Sequence, residues 1–165
     1  MKIRAVDATR PGSCHDAFVL NLSSVSTYYS EAYFYGSRNS LLLADSACAL
    51  QPYVLVPYKS AAFGTMQHKF NITHSSARNV VERTIGNLKS RYRSLQVCLF
   101  YSPSEVVKIV NVCCALTNIC KHYNVPVANE DELVPISNEE VEDTDQLQDN
   151  ITGVKIRDNI ARTLM

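Results

Sequence analysis

Glu82 is the one carboxylate in the stretch Arg78-Asn79-Val80-Val81-Glu82-Arg83-Thr84-Ile85-Gly86-Asn87-Leu88-Lys89-Ser90-Arg91, which is otherwise rich in positive charge. On a helix, Arg78, Glu82, Gly86, Lys89 and Arg93 recur at steps of three or four and share one face. A second acid, Asp45, closes the short apolar run Leu41-Leu42-Leu43-Ala44. A buried strand that ends in an acid is a frequent active-site layout, because the strand fixes the carboxylate at the edge of the sheet. Two or three such carboxylates can hold Mg²⁺ or Mn²⁺, which prefer oxygen ligands. A pair of these ions roughly 3.5–4 Å apart would activate water and stabilise the leaving oxygen in phosphodiester cleavage. Arg78, Arg83, Lys89, Arg91 and Arg93 would then hold a DNA backbone without reading its sequence. Blander roles compete with each of these. Glu82 can simply pair with Arg78 along the helix, worth about 0.2–0.5 kcal/mol. Asp45 can simply end a strand or cap a turn, and the bases can form a solvated face.

The elements that must position these groups follow from periodicity. The helix is predicted from about Thr73 to Leu95, with a core-facing stripe of Ala77, Val81, Ile85, Leu88, Tyr92 and Leu95. A second long helix, capped by Ser104 and running to about His122, is apolar nearly all round and is expected to be buried. Leu41 to Ala44 reads as a buried strand. Tyr53-Val54-Leu55-Val56-Pro57-Tyr58 reads as an edge strand or extended loop, because Pro52 and Pro57 bound it. Met1 to Ala8 alternates loosely and meets the turn Arg10-Pro11-Gly12-Ser13, which suggests a strand. His15 to about Tyr35 is expected to be helical in part, and Lys59 to Asn71 is expected to be loop.

The formal net charge of zero conceals a division. Residues 1–129 carry 13 Lys and Arg against 6 Asp and Glu, whereas residues 130–149 carry 9 acids and no base. A basic body with an acidic tail admits an anionic partner for the body. Residues 124–150 read as a flexible acidic linker, and 151–163 as a mildly amphipathic segment able to dock back. The six cysteines read as free thiols. Cys113, Cys114, Cys120 and His122 fit no zinc spacing, and their apolar flanks favour burial. No apolar run reaches the roughly 18 residues of a membrane span, and charge interrupts the N-terminus too soon for a signal peptide. His15-Asp16 is an adjacent pair that in a turn normally bonds to backbone rather than acting as a dyad.

Four blocks, in order over roughly residues 3–123, resemble the harbinger-type (PIF/Harbinger) DDE transposases and the nucleases derived from them. The first is Arg10-Pro11-Gly12-Ser13-Cys14-His15-Asp16. The second is Leu42-Leu43-Ala44-Asp45-Ser46 with Leu50-Gln51-Pro52-Tyr53 and Pro57-Tyr58. The third runs from Phe70-Asn71 and His74-Ser75-Ser76-Ala77-Arg78 through Val81-Glu82-Arg83 and Gly86 to Leu88-Lys89-Ser90-Arg91 and Arg93. The fourth is Leu116-Thr117-Asn118-Ile119-Cys120.

The resemblance implies an α/β, RNase H-like fold with a mixed sheet flanked by helices. It makes Asp45 the second acid and Glu82 the third acid of a catalytic triad. It also implies a divalent metal, a nuclear location and a separate Myb-like DNA-binding partner. The family's first catalytic Asp lies on a strand upstream of the Pro-Gly-Ser turn, and Asp7 lies on the wrong strand to replace it. The expectation is therefore an N-terminally truncated nuclease domain over 1–123, with a largely flexible tail over 124–165, impaired in metal-dependent cleavage. Ala47, Cys48, Ala49 and Thr117 depart from the family pattern, as a decayed copy or an incomplete gene would. The alternatives are a non-catalytic DNA- or protein-binding remnant and a chain that does not fold stably.

Overall fold

The computed structural model describes residues 2–126 and 149–164. Residues 127–148, which hold most of the expected acidic linker, lie outside the described residues. The element order is α1 (Asp16–Leu22), α2 (Ser24–Phe34), β1 (Leu42–Leu43), β2 (Val54–Leu55), α3 (Met66–Arg91), a 3₁₀ turn (Arg93–Leu95), α4 (Pro103–His122) and α5 (Ile151–Thr163). The described chain is thus α/β and mostly helical, with a two-stranded parallel sheet. No helix among the described residues is long and apolar enough to cross a membrane.

The described chain divides into two compact units, one of residues 13–78 with 149–164, the other of residues 2–12 with 79–126. The first is organised by the sheet. Leu42 pairs with Val54 and Leu43 with Leu55. The ladder is closed by Leu42 N–H donating to Tyr53 O at 2.8 Å and Ala44 N–H to Leu55 O at 2.9 Å. Around it lie the buried residues Cys48, Leu50, Val54, Leu55, Val56, Phe70 and Ala161. Leu42 and Ala44 are half-buried and Leu43 is exposed. The run around Asp45 is therefore a strand, but one with a single covered face.

Helix α5 completes this unit. Asn150 caps it, accepting from Thr152 N–H at 2.9 Å and Gly153 N–H at 3.3 Å, while its own N–H donates to Leu50 O at 3.1 Å. A cap of this kind satisfies two of the four amides that begin a helix without partners. Further along α5, the Arg157 guanidinium sits 4.0 Å from the centroid of the Tyr58 ring. Asp158 accepts the Tyr58 hydroxyl at 2.6 Å. Burial is the main cause, and the Asp158 carboxylate adds to it, pushing the Tyr58 phenol up to about 12. Asn71 of α3 is bound to the same segment from the other side: Tyr58 N–H donates to its side chain at 2.9 Å, and its amide donates back to Tyr58 O at 3.0 Å.

The other unit has a smaller core of Leu88, Cys113 and Cys114, flanked by Ile3, Tyr92, Leu95, Ile109 and Val110. The Asn118 side chain binds both backbone groups of Ile3, at 2.8 Å each.

Four expectations are corrected. Residues 2–9 form no strand; Ile3 is held by a side chain instead of a ladder. Helix α3 begins at Met66, inside the span expected to be loop, because Thr65 accepts from His68 N–H and starts the helix. The N-cap of α4 is Ser102 rather than Ser104, with Pro103 in the first turn and Glu105 completing a capping box. Most important, the apolar stripes are not all covered. Ala77, Val81 and Ile85 of α3 and Val112, Leu116 and Ile119 of α4 are exposed. The buried positions of α3 are Phe70, His74, Thr84 and Leu88, a face rotated away from the purely apolar one.

The thiols give a direct check of this packing. All six are free. Burial pushes Cys48, Cys113 and Cys114 above the ordinary thiol value, and Cys98 is exposed. The thiolate is the reactive form, so iodoacetamide at neutral pH should label Cys98 first. Cys48, Cys113 and Cys114 should label only when the chain is unfolded, as read by peptide mass spectrometry.

Candidate active site

Asp45 lies just past the C-terminal end of β1, where the ladder bond of Ala44 fixes the backbone immediately before it. Its carboxylate is engaged on both oxygens. Ser46 Oγ donates to Oδ1 at 3.0 Å, and Arg78 Nη1 donates to Oδ2 at 3.2 Å. Both partners of the ion pair remain partly exposed, so its net worth is about 0–1 kcal/mol. Burial is the largest single influence on the Asp45 carboxyl and raises its pKa. The Ser46 hydroxyl and the Arg78 guanidinium together outweigh it, leaving the group below its ordinary value. A group with a depressed folded pKa adds stability above the unfolded pKa and loses it as pH falls through the folded one. Replacing Arg78 by Met should raise the Asp45 pKa toward the ordinary carboxylate value, measured by carboxyl-carbon NMR. An unchanged titration would show that the Ser46 hydroxyl and the Ala47 N–H set it without Arg78.

Of the residues singled out by spacing, the structure brings together Asp45 and Arg78. Glu82 lies on the same helix as Arg78 but belongs to the other unit, and it is exposed. Within that unit the bases differ. Arg83, Lys89 and Arg93 are exposed. Arg91 is half-buried and donates through Nη2 to Val125 O at 3.1 Å and Pro126 O at 3.2 Å. It lines a cavity of about 270 Å³ with Asn87, Thr117, Lys121 and Asn124. Arg93 is not on α3. The helix stops at Arg91, Tyr92 is extended, and Arg93 opens the 3₁₀ turn, so the helical spacing that grouped it with Glu82 and Lys89 does not apply.

Among the described residues, no three His, Cys, Asp or Glu side chains form a group able to hold a metal ion. In the sheet-centred unit the carboxylate at the strand end is paired with a guanidinium. The pairing of Asp45 with Arg78 went unforeseen because strand-to-helix distance is not visible in spacing. The arginine four residues before Glu82 was the available signal.

Comparison with known proteins places these residues in context. "Putative nuclease HARBI1" of Xenopus laevis is 29% identical over 137 residues, covering 81% of this chain and 38% of that protein. The human protein of the same name is 30% identical over 128 residues, covering 76% of this chain and 36% of its own length. "Protein ALP1-like" of Arabidopsis thaliana is 30% identical over 79 residues, covering 47% of this chain and 20% of that protein. The chain thus spans less than half the length of these relatives. No solved structure matches. The family described as "DDE superfamily endonuclease" matches residues 1–118, a span that includes Asp45, Arg78 and Glu82. These findings agree with the harbinger-type resemblance, and the chain belongs to the DDE superfamily endonuclease family.

Proposed function

We propose that this chain is part of a transposase-derived DNA endonuclease, with Asp45 and Glu82 as two of its metal-binding acids and Arg83, Lys89 and Arg93 as contacts to the phosphodiester backbone. The observation that carries this reading is the placement of Asp45 at the end of β1, tied to the arginine of the helix that also bears Glu82. An RNase H-like fold, a nuclear location and a Myb-like partner belong to the same reading. When bound, Mg²⁺ or Mn²⁺ would supply the activated water of phosphodiester hydrolysis. The chain's own residues hold the backbone by charge, and Ser46 and Arg78 fix the rotamer of Asp45. Cleavage by this chain alone is weak or absent in this proposal, because two carboxylates hold a metal less well than three, and no group of three forms among the described residues.

A second reading, a non-catalytic DNA-binding remnant, is favoured by that same Asp45–Arg78 pair. One experiment separates the two. The full chain is incubated with supercoiled and linear DNA, with and without Mg²⁺ or Mn²⁺, and scored for both retention and cutting. Retention with background cutting is the expected result. Robust cutting abolished by Glu82→Ala would refute the impairment. Absence of retention at low salt would sink both readings.

A further inference from the structure

We propose that His74 is the positioning residue of the Asp45 site: its imidazole ties α3 to the carbonyl on which the end of β1 hangs, and so sets where Asp45 leaves the sheet and meets Arg78. This rests on the reading of Asp45 as a functional carboxylate given above.

The geometry is a closed ring within one unit. Leu55 O accepts twice, from Ala44 N–H at 2.9 Å and from His74 Nε2 at 3.3 Å. A carbonyl oxygen has two lone pairs and can only accept, so Nε2 carries the hydrogen. Ala44 immediately precedes Asp45. One helical turn after His74, Arg78 reaches back to Asp45 at 3.2 Å. Strand end, carboxylate, guanidinium, helix and imidazole thus return to the same oxygen. His74 is 5% exposed, and its ring lies 5.8 Å from that of Phe70. Burial, the largest influence on it, holds its pKa below the ordinary imidazole value and keeps the ring neutral.

An aliphatic side chain would fill this space as well as an imidazole does. What it would not supply is a directional donor to Leu55 O. A histidine that merely fills the core and a histidine that positions Asp45 therefore differ in one measurable respect. The first stabilises the whole unit, whereas the second holds one end of one strand.

The test is site-resolved amide hydrogen exchange on the full chain, comparing wild type with His74→Leu and His74→Gln. Glutamine retains a donor near the position of Nε2, and leucine does not. The amides of Ala44 and of Cys48, which donates to Asp45 O at 3.1 Å, report on the site, and Val154 of α5 serves as the reference. In His74→Leu, Ala44 and Cys48 should exchange about tenfold faster or more while Val154 keeps its rate, the signature of local rather than global opening. In His74→Gln all three should remain near wild type. Equal acceleration of all three amides, or of none, overturns the proposal. Should His74→Leu not fold, His74→Phe keeps the ring and removes the donor. Failure of both with normal folding of His74→Gln supports the donor, and failure of all three overturns it. Mn²⁺ binding, followed by loss of the free-ion EPR signal, reports separately on Asp45. If wild type and Asp45→Asn bind Mn²⁺ equally or not at all, the metal reading fails while the exchange result stands.

Discussion

Replacing Gly153 by valine should loosen α5 and lower the thermal midpoint of the chain by several degrees. A Cβ at this position would stand 2.9 Å from the backbone carbon of Gln51, 3.0 Å from its oxygen and 3.2 Å from Leu50 Cγ. None of these neighbours can yield cheaply. Two are backbone atoms in the turn leading to β2, and Leu50 is fully buried. Overpacking of this kind costs about 1–3 kcal/mol. A gain in helix propensity of a few tenths of a kcal/mol on leaving glycine offsets little of it. A net loss of about 2 kcal/mol corresponds to roughly 4–8 °C for a chain of this size. Limited proteolysis should show cleavage around residues 150–163 before the rest of the unit. Gly12→Ala is the control, since nothing lies within 4 Å of a Cβ there. An unchanged midpoint for Gly153→Val would mean that α5 shifts freely and contributes little to the unit.

That prediction concerns a contact that the sequence does not disclose. The sequence marks 151–163 only as a mildly amphipathic segment, whereas the structure shows the helix and its Asn150 cap. Its partner, the Leu50–Gln51 turn, lies about a hundred residues away and carries no matching pattern. The same division holds at the site. Asp45 was legible because a run of apolar residues halts at an acid, and Glu82 because it interrupts a row of bases. The Asp45–Arg78 pair and the double use of Leu55 O were not, since both depend on how α3 lies against the sheet within one unit. The apolar stripe of α3 misled for a physical reason. Periodicity shows which residues would benefit from burial, but not whether anything covers them. Val81 and Ile85 remain exposed, while the polar His74 and Thr84 are buried with their own hydrogen bonds, to Leu55 O and Val80 O.

Raising the salt concentration from about 50 to about 200 mM should weaken binding of the chain to DNA about 40-fold. The size follows from which bases are available to phosphates. Arg78 is committed to Asp45, and Arg91 donates to the carbonyls of Val125 and Pro126. Arg83, Lys89 and Arg93 are exposed. Each phosphate neutralised releases counterions and contributes about −0.9 to the slope of log affinity against log salt. Three contacts give a slope of about −2.7, which over a fourfold change in salt is a factor of about 40. Binding should show no sequence preference, because backbone contacts position a protein without reading bases. Changing Arg83, Lys89 and Arg93 together to glutamine should flatten the slope toward zero. Changing Arg78 alone should leave it nearly as it was. A steep slope that survives the triple substitution would place the phosphate contacts elsewhere on the chain. A slope near zero in the wild type would remove DNA from the proposal altogether.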